Sequence, residues 1–210
     1  MRLLLLPLAL MIAACGRDGR PAPDSAMQGP TKARAAPVFE VELWPGEGIP
    51  VIAAVRDELP LLQSPSPEDA GAGSLSVAPG SRITYDSTRL QTMAPAMVTV
   101  TGSTFVRGRF LGAMHSLSRA GYYSDAFRDT IIALAPSERL EYLQPRAEGS
   151  CFVRIDGSVV EANPCPTHDS ASFALSGEPA LRWWVFARGD SVSGWLLVSD
   201  STAKLVRREF

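Results

Sequence analysis

Few side chains of this 210-residue sequence suit catalysis or metal binding, because it has only three cysteines and two histidines. Cys165 and His168 lie three residues apart, and together with Cys151 they could offer three ligands to a metal ion. A structural zinc site usually takes four protein ligands, and a catalytic one takes three and a water molecule. The other interpretation of the two cysteines is a disulfide. His115 has no recognisable acid beside it, which favours a surface or loop histidine.

Pairs of carboxylates are the remaining candidates for acid–base chemistry. Asp125 with Asp129, and Glu138 with Glu141, could each occupy one face of a helix. Such pairs are usually solvated surface charges. The sequence also contains no P-loop, no GxGxxG motif and no GxSxG motif. We therefore expect no enzymatic activity, no cofactor and no metal site.

The first fifteen residues have the pattern of an export signal. Arg2 supplies a minimal positive segment, and residues 3–11 form an almost unbroken apolar run. A transmembrane helix needs about 20 apolar residues, so a run this short is typical of the core of a signal peptide. An isoleucine and two alanines then precede Cys15.

This arrangement resembles the lipobox of bacterial lipoproteins, in which an aliphatic residue and two small residues precede an obligate cysteine. The resemblance implies that residues 1–14 are a signal peptide and that the thiol of Cys15 is lipidated. The protein would then be anchored to a membrane of the bacterial cell envelope, facing the periplasm or the exterior. The alternative is an ordinary secretory signal peptide or a misplaced start, with a chance cysteine. In lipoproteins of enteric bacteria, an aspartate after the lipidated cysteine suggests retention in the inner membrane. The residue at this position is Gly16, and the choice between inner and outer membrane stays open.

Export would bring the other two cysteines into an oxidising compartment, where an even pair is most simply a disulfide. Cys151 begins one of two strand-like runs that flank Asp156 and Gly157, the preferred residues of a type I′ turn. A two-residue loop pairs Cys151 with Ala162, and the chain can then turn back so that Cys165 reaches Cys151. We predict that this disulfide staples the open end of the hairpin.

Charge and composition limit the remaining possibilities. The formal net charge of −2 argues against a nucleic-acid surface, which normally has a basic excess. Seventeen glycines and seventeen prolines favour a turn-rich β protein over a helical bundle. Residues 15–37 are expected to be the lipidated cysteine and a flexible tether, because residues 16–37 have no aromatic residue and no apolar periodicity. No second apolar run in the sequence approaches membrane-spanning length, so the lipid at Cys15 is the only membrane attachment expected.

Alternating and β-branched runs predict strands along most of the chain after the tether. Two pairs of runs predict further hairpins: 96–101 with 104–111, and 182–188 with 194–198. The only plausible helical stretch is 112–135, in which Ser124 could cap a short helix, although residues 130–134 could equally be a strand.

Two segments of the chain resemble bacterial SH3 (SH3b-like) domains. The first is LPLLQSPSPEDAGAGSLSVAPGSRI, in which an apolar strand and a Pro/Ser-rich loop lead to a small strand and a glycine turn. Its matching positions are Leu61, Pro65, Leu75, Gly80 and Ile83. The second is WWVFARGDSVSGWLLV, in which an aromatic strand and a polar hairpin lead to Gly-Trp and a run of aliphatic residues.

The resemblance implies a mainly β fold of one or two small SH3-like barrels with short helical connections. The first unit would span residues 38–112, and a connecting segment would span 113–139. The second unit, residues 140–210, would contain the hairpins and the disulfide. A single larger β-rich domain is the alternative.

Aromatic residues of the second segment are the candidates for ligand binding. Flat aromatic rings beside arginines suit contacts with glycans or peptides, which points to Trp183, Trp184, Trp195 and Arg182. The alternative is that the tryptophans build the core.

From these observations we expect a lipid-anchored envelope protein that acts as a non-enzymatic binding module. Its partners would be the membrane, through Cys15, and either peptidoglycan or another envelope protein, with no nucleic acid. One alternative is a structural accessory subunit of an envelope complex. Another is an unrecognised hydrolase that combines His168, Asp169 and a serine.

Overall fold

The computed structural model describes residues 36–45, 48–111, 129–147, 149–167, 170–199 and 201–206. Within these ranges the chain forms β-strands joined by turns and loops, and no helix. The strands are β1 (Phe39–Val41), β2 (Val51–Ala54), β3 (Glu58–Leu62), β4 (Gly71–Ser76), β5 (Tyr85–Ala94), β6 (Ala96–Val100), β7 (Thr104–Phe110), β8 (Asp129–Leu134), β9 (Arg139–Pro145), β10 (Cys151–Ile155), β11 (Ser158–Asn163), β12 (Phe173–Leu175), β13 (Ala180–Arg188), β14 (Ser193–Val198) and β15 (Ala203–Val206).

The prediction of a mainly β fold is confirmed, but the predicted short helical connections do not occur in the described ranges. Residues 130–134 belong to β8, because this stretch pairs along its whole length with β7. Ser124, the expected helix cap, lies outside the described residues.

The strand pairings are all antiparallel, and they form two large sheets. The first sheet has the order β1-β5-β13-β14-β3-β4, and the second sheet has the order β12-β6-β9-β10-β11-β7-β8. Strands β15 and β2 make a small third sheet. Both large sheets take strands from 38–112 and from 140–210, the segments expected as separate SH3-like units. The described residues all belong to one compact unit.

An apolar core joins the inner face of the first sheet to the second sheet. On β13, the core side chains Trp183, Val185 and Ala187 alternate with side chains that point to the other face. Phe39 of β1 meets Phe152 of β10, with their ring centroids 5.2 Å apart. The period of two along β13 therefore divides its side chains between this core and the outer face of the first sheet.

A second core is built from strands of the second sheet. Its members include Cys151, Val153 and Val160, which are all fully or almost fully buried. Because β10 also sends Phe152 into the first core, this strand is buried on both of its faces. The short apolar run that begins at Cys151 is typical of such a doubly covered strand.

The predicted hairpin over residues 151–163 is confirmed together with its register. Strands β10 and β11 pair Cys151 with Ala162 and Ile155 with Ser158. Asp156 and Gly157 have φ angles of 48° and 79°, the positive values that a type I′ turn requires. The predicted disulfide between Cys151 and Cys165 is also present, with a Cα–Cα distance of 5.7 Å. The predicted hairpin of β13 with β14 is likewise confirmed.

The predicted hairpin of β6 with β7 is wrong, although both strands exist. In the sheet order, β9, β10 and β11 lie between them. The end of β6 is bonded elsewhere: the Val100 N–H donates to the Glu138 carbonyl, and the Val100 carbonyl accepts from the Ser137 N–H. Since each backbone group is satisfied by this more distant segment, the short link between the two strands does not close a hairpin.

Candidate binding face

The face of the first sheet that points away from the core carries a layer of aromatic and charged side chains. The register places Phe186 of β13 opposite Trp195 of β14, and Trp184 of β13 opposite Arg89 of β5. We call this surface the outer face, and define it by Glu40, Glu42, Arg89, Arg182, Phe186, Arg188 and Trp195, with Trp184 and Gln91 buried beneath it.

A pair of half-buried aromatic rings occupies the middle of the outer face. The ring centroids of Phe186 and Trp195 are 5.5 Å apart, with their planes at 73° in an edge-to-face arrangement. The Arg188 guanidinium carbon lies 5.4 Å from the Phe186 centroid, and that of Arg89 lies 5.6 Å from the Trp195 ring. Each cation–π contact at such a site contributes about 0.5–1 kcal/mol. The four side chains therefore form one continuous layer of ring and guanidinium contacts.

Gly194 explains how Trp195 reaches this layer. A Cβ at Gly194 would lie 2.9 Å from the Leu62 carbonyl oxygen and 3.0 Å from the Leu61 Cβ. Only glycine therefore permits the close approach of β14 to β3, and Trp195 then pairs directly with Leu62.

Carboxylates balance the two arginines of the layer. Arg89 donates to Glu40 and, at 2.9 Å, to Glu42. Arg188 donates to Asp86, and this hydrogen bond holds the pKa of the Asp86 carboxyl below its ordinary value. Because each guanidinium has at least one carboxylate partner, the layer can present flat stacking surfaces without an unbalanced positive charge.

Trp184 and Trp183 are interior residues. Trp184 is 0% exposed, and its indole N–H donates to the Gln91 side-chain oxygen at 2.9 Å. The amide nitrogen of Gln91 donates in turn to the Pro65 carbonyl and to Glu40, at 3.0 and 2.7 Å. The hydrogen bond to Pro65 holds the loop after β3 against the sheet beside the Trp184 indole ring. Trp183 is 7% exposed and lies in the first core.

The four predicted ligand-binding residues are therefore divided between the interior and the surface. Trp183 and Trp184 fit the alternative interpretation, in which tryptophans build the core, whereas Trp195 and Arg182 reach the surface in part. Arg182 lines a groove of about 290 Å³ beside the β3–β4 loop. The groove also contains Glu40, Gln91, Met93 and residues 65–67.

Sequence reasoning missed Arg89, Gln91 and Glu40. They are separated from β13 by about ninety to one hundred and forty residues of chain, and only the register of β1, β5 and β13 brings them to the tryptophans. No local pattern around these residues distinguishes them from ordinary polar positions on a strand.

The other predicted chemical groups are placed as follows. Glu138 and Glu141 do not share a helix face, because Glu141 belongs to β9, where it pairs with Arg154. Cys15, His115, Asp125, His168 and Asp169 lie outside the described residues. In the described ranges, no group of three or more His, Cys, Asp or Glu residues could hold a metal ion. Across the same ranges no helix is long and apolar enough to cross a membrane.

The buried Tyr142 and the partly buried Tyr85 are held in their neutral form. Burial and, second, the charge of Glu178 raise the pKa of Tyr142 to about 12. Burial also raises the pKa of Tyr85, whose hydroxyl donates to the Pro50 carbonyl. Because both phenols stay protonated near neutral pH, they act in packing and hydrogen bonding there.

The described chain is thus an all-β protein of antiparallel sheets, with one disulfide and an aromatic–arginine layer on the outer face of its first sheet. Comparison with protein-family models, with curated proteins and with solved structures gave no match.

Proposed function

We propose that this protein is a lipid-anchored component of the bacterial cell envelope and acts as a non-enzymatic binding module. Its ligand is peptidoglycan or an envelope protein, and the outer face of the first sheet is the binding surface. One observation carries this proposal: the edge-to-face pair of Phe186 and Trp195, stacked between the guanidinium groups of Arg188 and Arg89.

The chemistry of the layer suits a ligand with both flat and polar surfaces. Aromatic rings with rigid, partly exposed faces contribute contact area at a low cost in conformational entropy. The carboxylates of Glu40 and Glu42 lie beside the rings and can accept hydrogen bonds from hydroxyl or amine groups. A glycan strand with peptide side chains offers sugar faces to the rings and polar groups to the carboxylates.

The N-terminal pattern supports the location. With Cys15 lipidated, residues 16–37 would separate the folded body from the membrane. A flexible segment of this length has a mean end-to-end distance of about 25 Å. Replacement of Cys15 by alanine should therefore move the protein from the membrane fraction to the soluble fraction and should abolish incorporation of a labelled fatty acid. Unchanged labelling would contradict lipidation at Cys15.

The ligand can be tested with full-length protein in neutral detergent and purified peptidoglycan sacculi. Trp195→Ala should weaken saturable binding by about tenfold, as expected for loss of a central aromatic contact. The matched control is Phe105→Ala, which removes an exposed aromatic ring from the second sheet and should leave binding unchanged. Equal losses of affinity for the sacculi in both variants, with the fold intact by circular dichroism, would rule out the outer face as the binding surface.

A structural accessory role is the second candidate, and one observation favours it. Phe105 of β7 and Ile131 of β8 are 56% and 68% exposed, and among the described strands β8 is the outermost strand of the second sheet. Exposed apolar side chains at an open sheet edge are typical of a protein interface. A photo-crosslinking amino acid at position 131 should then capture one discrete partner in the envelope. The same label at the exposed position of Arg139 is the control.

A further inference from the structure

The face of the second sheet that points away from the second core contains a cleft lined by three arginines. Arg107 and Arg109 lie two residues apart on β7, so their side chains leave the same face of the sheet. Arg146 follows the end of β9 and lines the same cleft, which has a volume of about 210 Å³. We call this feature the arginine cleft. Its other described lining residues are Gly108, Ser150, Glu161, Ala162 and Asn163.

The sheet register brings these side chains together from distant parts of the chain. Strand β11 places Glu161 opposite Arg109 and Asn163 opposite Arg107. Arg146 is held by an ion pair with Glu161 and by its backbone N–H, which donates to the Ser150 carbonyl. The backbone positions of the three arginines are therefore set by two paired strands and a short hydrogen-bonded loop, so the backbone needs little ordering before a ligand binds.

The described lining of the cleft carries a positive formal charge. Three arginines, Glu161 and Asp129 of β8, which the register places opposite Arg109, leave a formal charge of +1 around the cleft, in a chain whose net charge is −2. The side chain of Glu161 is 11% exposed, and one of its oxygens is paired with Arg146. The positive charge that remains at this concave site favours a bound anion.

We propose that the arginine cleft binds a phosphate group, either of a soluble phosphate compound or of a lipid headgroup. Guanidinium groups match phosphate oxygens in bidentate geometry. A tetrahedral phosphate can accept hydrogen bonds from several guanidinium groups around a concave site. The two oxygens of a planar carboxylate can accept hydrogen bonds from only one or two guanidinium groups. The amide of Asn163 supplies a further donor at the same cleft. This site lies on the second sheet and does not depend on the function proposed for the outer face.

The test is a titration of the full-length protein, in neutral detergent at constant ionic strength, with inorganic phosphate. Saturable binding at one site is expected, and the double variant Arg107→Gln/Arg109→Gln should raise the Kd at least about tenfold. Arg139→Gln removes an exposed arginine of the same sheet that does not line the cleft. This control should change the Kd by less than about twofold. Glu161→Gln, if its unfolding transition is intact, should lower the Kd because it removes a negative charge from the lining.

The same titration with a short-chain phosphatidylglycerol, and with phosphatidylcholine as its zwitterionic control, separates the two sources of phosphate. Tighter binding of phosphatidylglycerol than of inorganic phosphate, lost in the double variant, assigns the cleft to a lipid headgroup. The opposite order assigns it to a soluble phosphate compound. No saturable binding below about 10 mM of either probe, or equal effects of the double variant and Arg139→Gln, would overturn the proposal.

Discussion

The outer face of the first sheet and the arginine cleft of the second use the same residue type in opposite ways. On the outer face, Arg89 and Arg188 stack on aromatic rings and are paired with carboxylates. In the cleft, three arginines line one concave site, and Arg146 is paired with Glu161 of the same lining. The comparison teaches that the neighbours across each sheet decide the role of an arginine. Beside carboxylates and aromatic rings an arginine supports a stacking surface, and beside other arginines at a concave site we propose that it binds an anion.

The largest effect in this comparison should come from the tryptophan beneath the outer face. Trp184→Ala removes a fully buried ring and the hydrogen bond to Gln91, so we expect a loss of about 3–5 kcal/mol in the free energy of unfolding. Trp195→Ala, at the half-buried neighbouring position, should cost less than half as much. Urea unfolding of both variants measures the difference. Equal losses would mean that Trp195 is a core residue and would weaken its assignment as a contact residue.

The next effect concerns the hairpin beside the arginine cleft. The disulfide joins residues 14 apart in sequence, and opening such a loop should cost about 3 kcal/mol in the chain-entropy model. The variant Cys151→Ser/Cys165→Ser should show this loss in urea unfolding, and the reduced wild-type protein should behave like the variant. Phosphate binding should weaken in the variant, because Asn163 of the cleft lies two residues from Cys165. An unaltered Kd would show that β7 and β11 hold the cleft without the disulfide.

The ion pairs of the two regions should differ in strength. Arg146 and Glu161 have side chains that are 20% and 11% exposed, whereas those of Arg89 and Glu40 are 28% and 22% exposed. We expect Arg146→Gln to lower the free energy of unfolding by about 2 kcal/mol, because it leaves Glu161 as a buried charge. Arg89→Gln should cost no more than about 1 kcal/mol. Thermal unfolding at two salt concentrations measures both values, and a larger loss for Arg89→Gln would contradict the comparison.

A smaller effect on the free energy of unfolding should appear only in alkaline solution. The pKa of Tyr142 is raised in the folded protein to about 12, above its ordinary value of 10.0. The neutral phenol therefore contributes stability that is fully present below pH 10 and is lost as the pH rises toward 12. The loss should reach at most about 1.4 kcal/mol per pH unit. Tyr142→Phe should remove this dependence in unfolding measured from pH 9 to pH 12. An identical slope in the variant would show that another group causes it.

The parts of the fold that the sequence predicts correctly are local ones. Asp156 and Gly157 accept positive φ angles, and a two-residue loop permits one register, so the pairing of β10 with β11 and the position of Cys151 follow from a few consecutive residues. The hairpin of β13 with β14 follows in the same way from two apolar runs around a polar loop. The disulfide follows because the hairpin register carries Cys151 to its open end.

Predictions that depend on partners far away in the sequence are less accurate. The runs of β6 and β7 resemble a hairpin, but the end of β6 bonds to the segment just before β9. Residues 130–134 fit a helix or a strand equally, and the free edge of β7 makes them a strand. Alternation separates Trp183 from Trp184 correctly, but it does not show that Gln91 and the loop after β3 cover the second ring.

The amino-acid sequence by itself therefore determined the strand character of this protein, two of its hairpins and its disulfide, because turn dihedrals and side-chain alternation act over a few residues. Only the tertiary structure decided which strands are neighbours, and hence which side chains meet across the sheets. Arg89 meets Trp195, and Arg107 joins Arg146, through pairings between distant segments. The physical reason is that each strand edge can pair with many others, and the burial of both cores selects one arrangement among them.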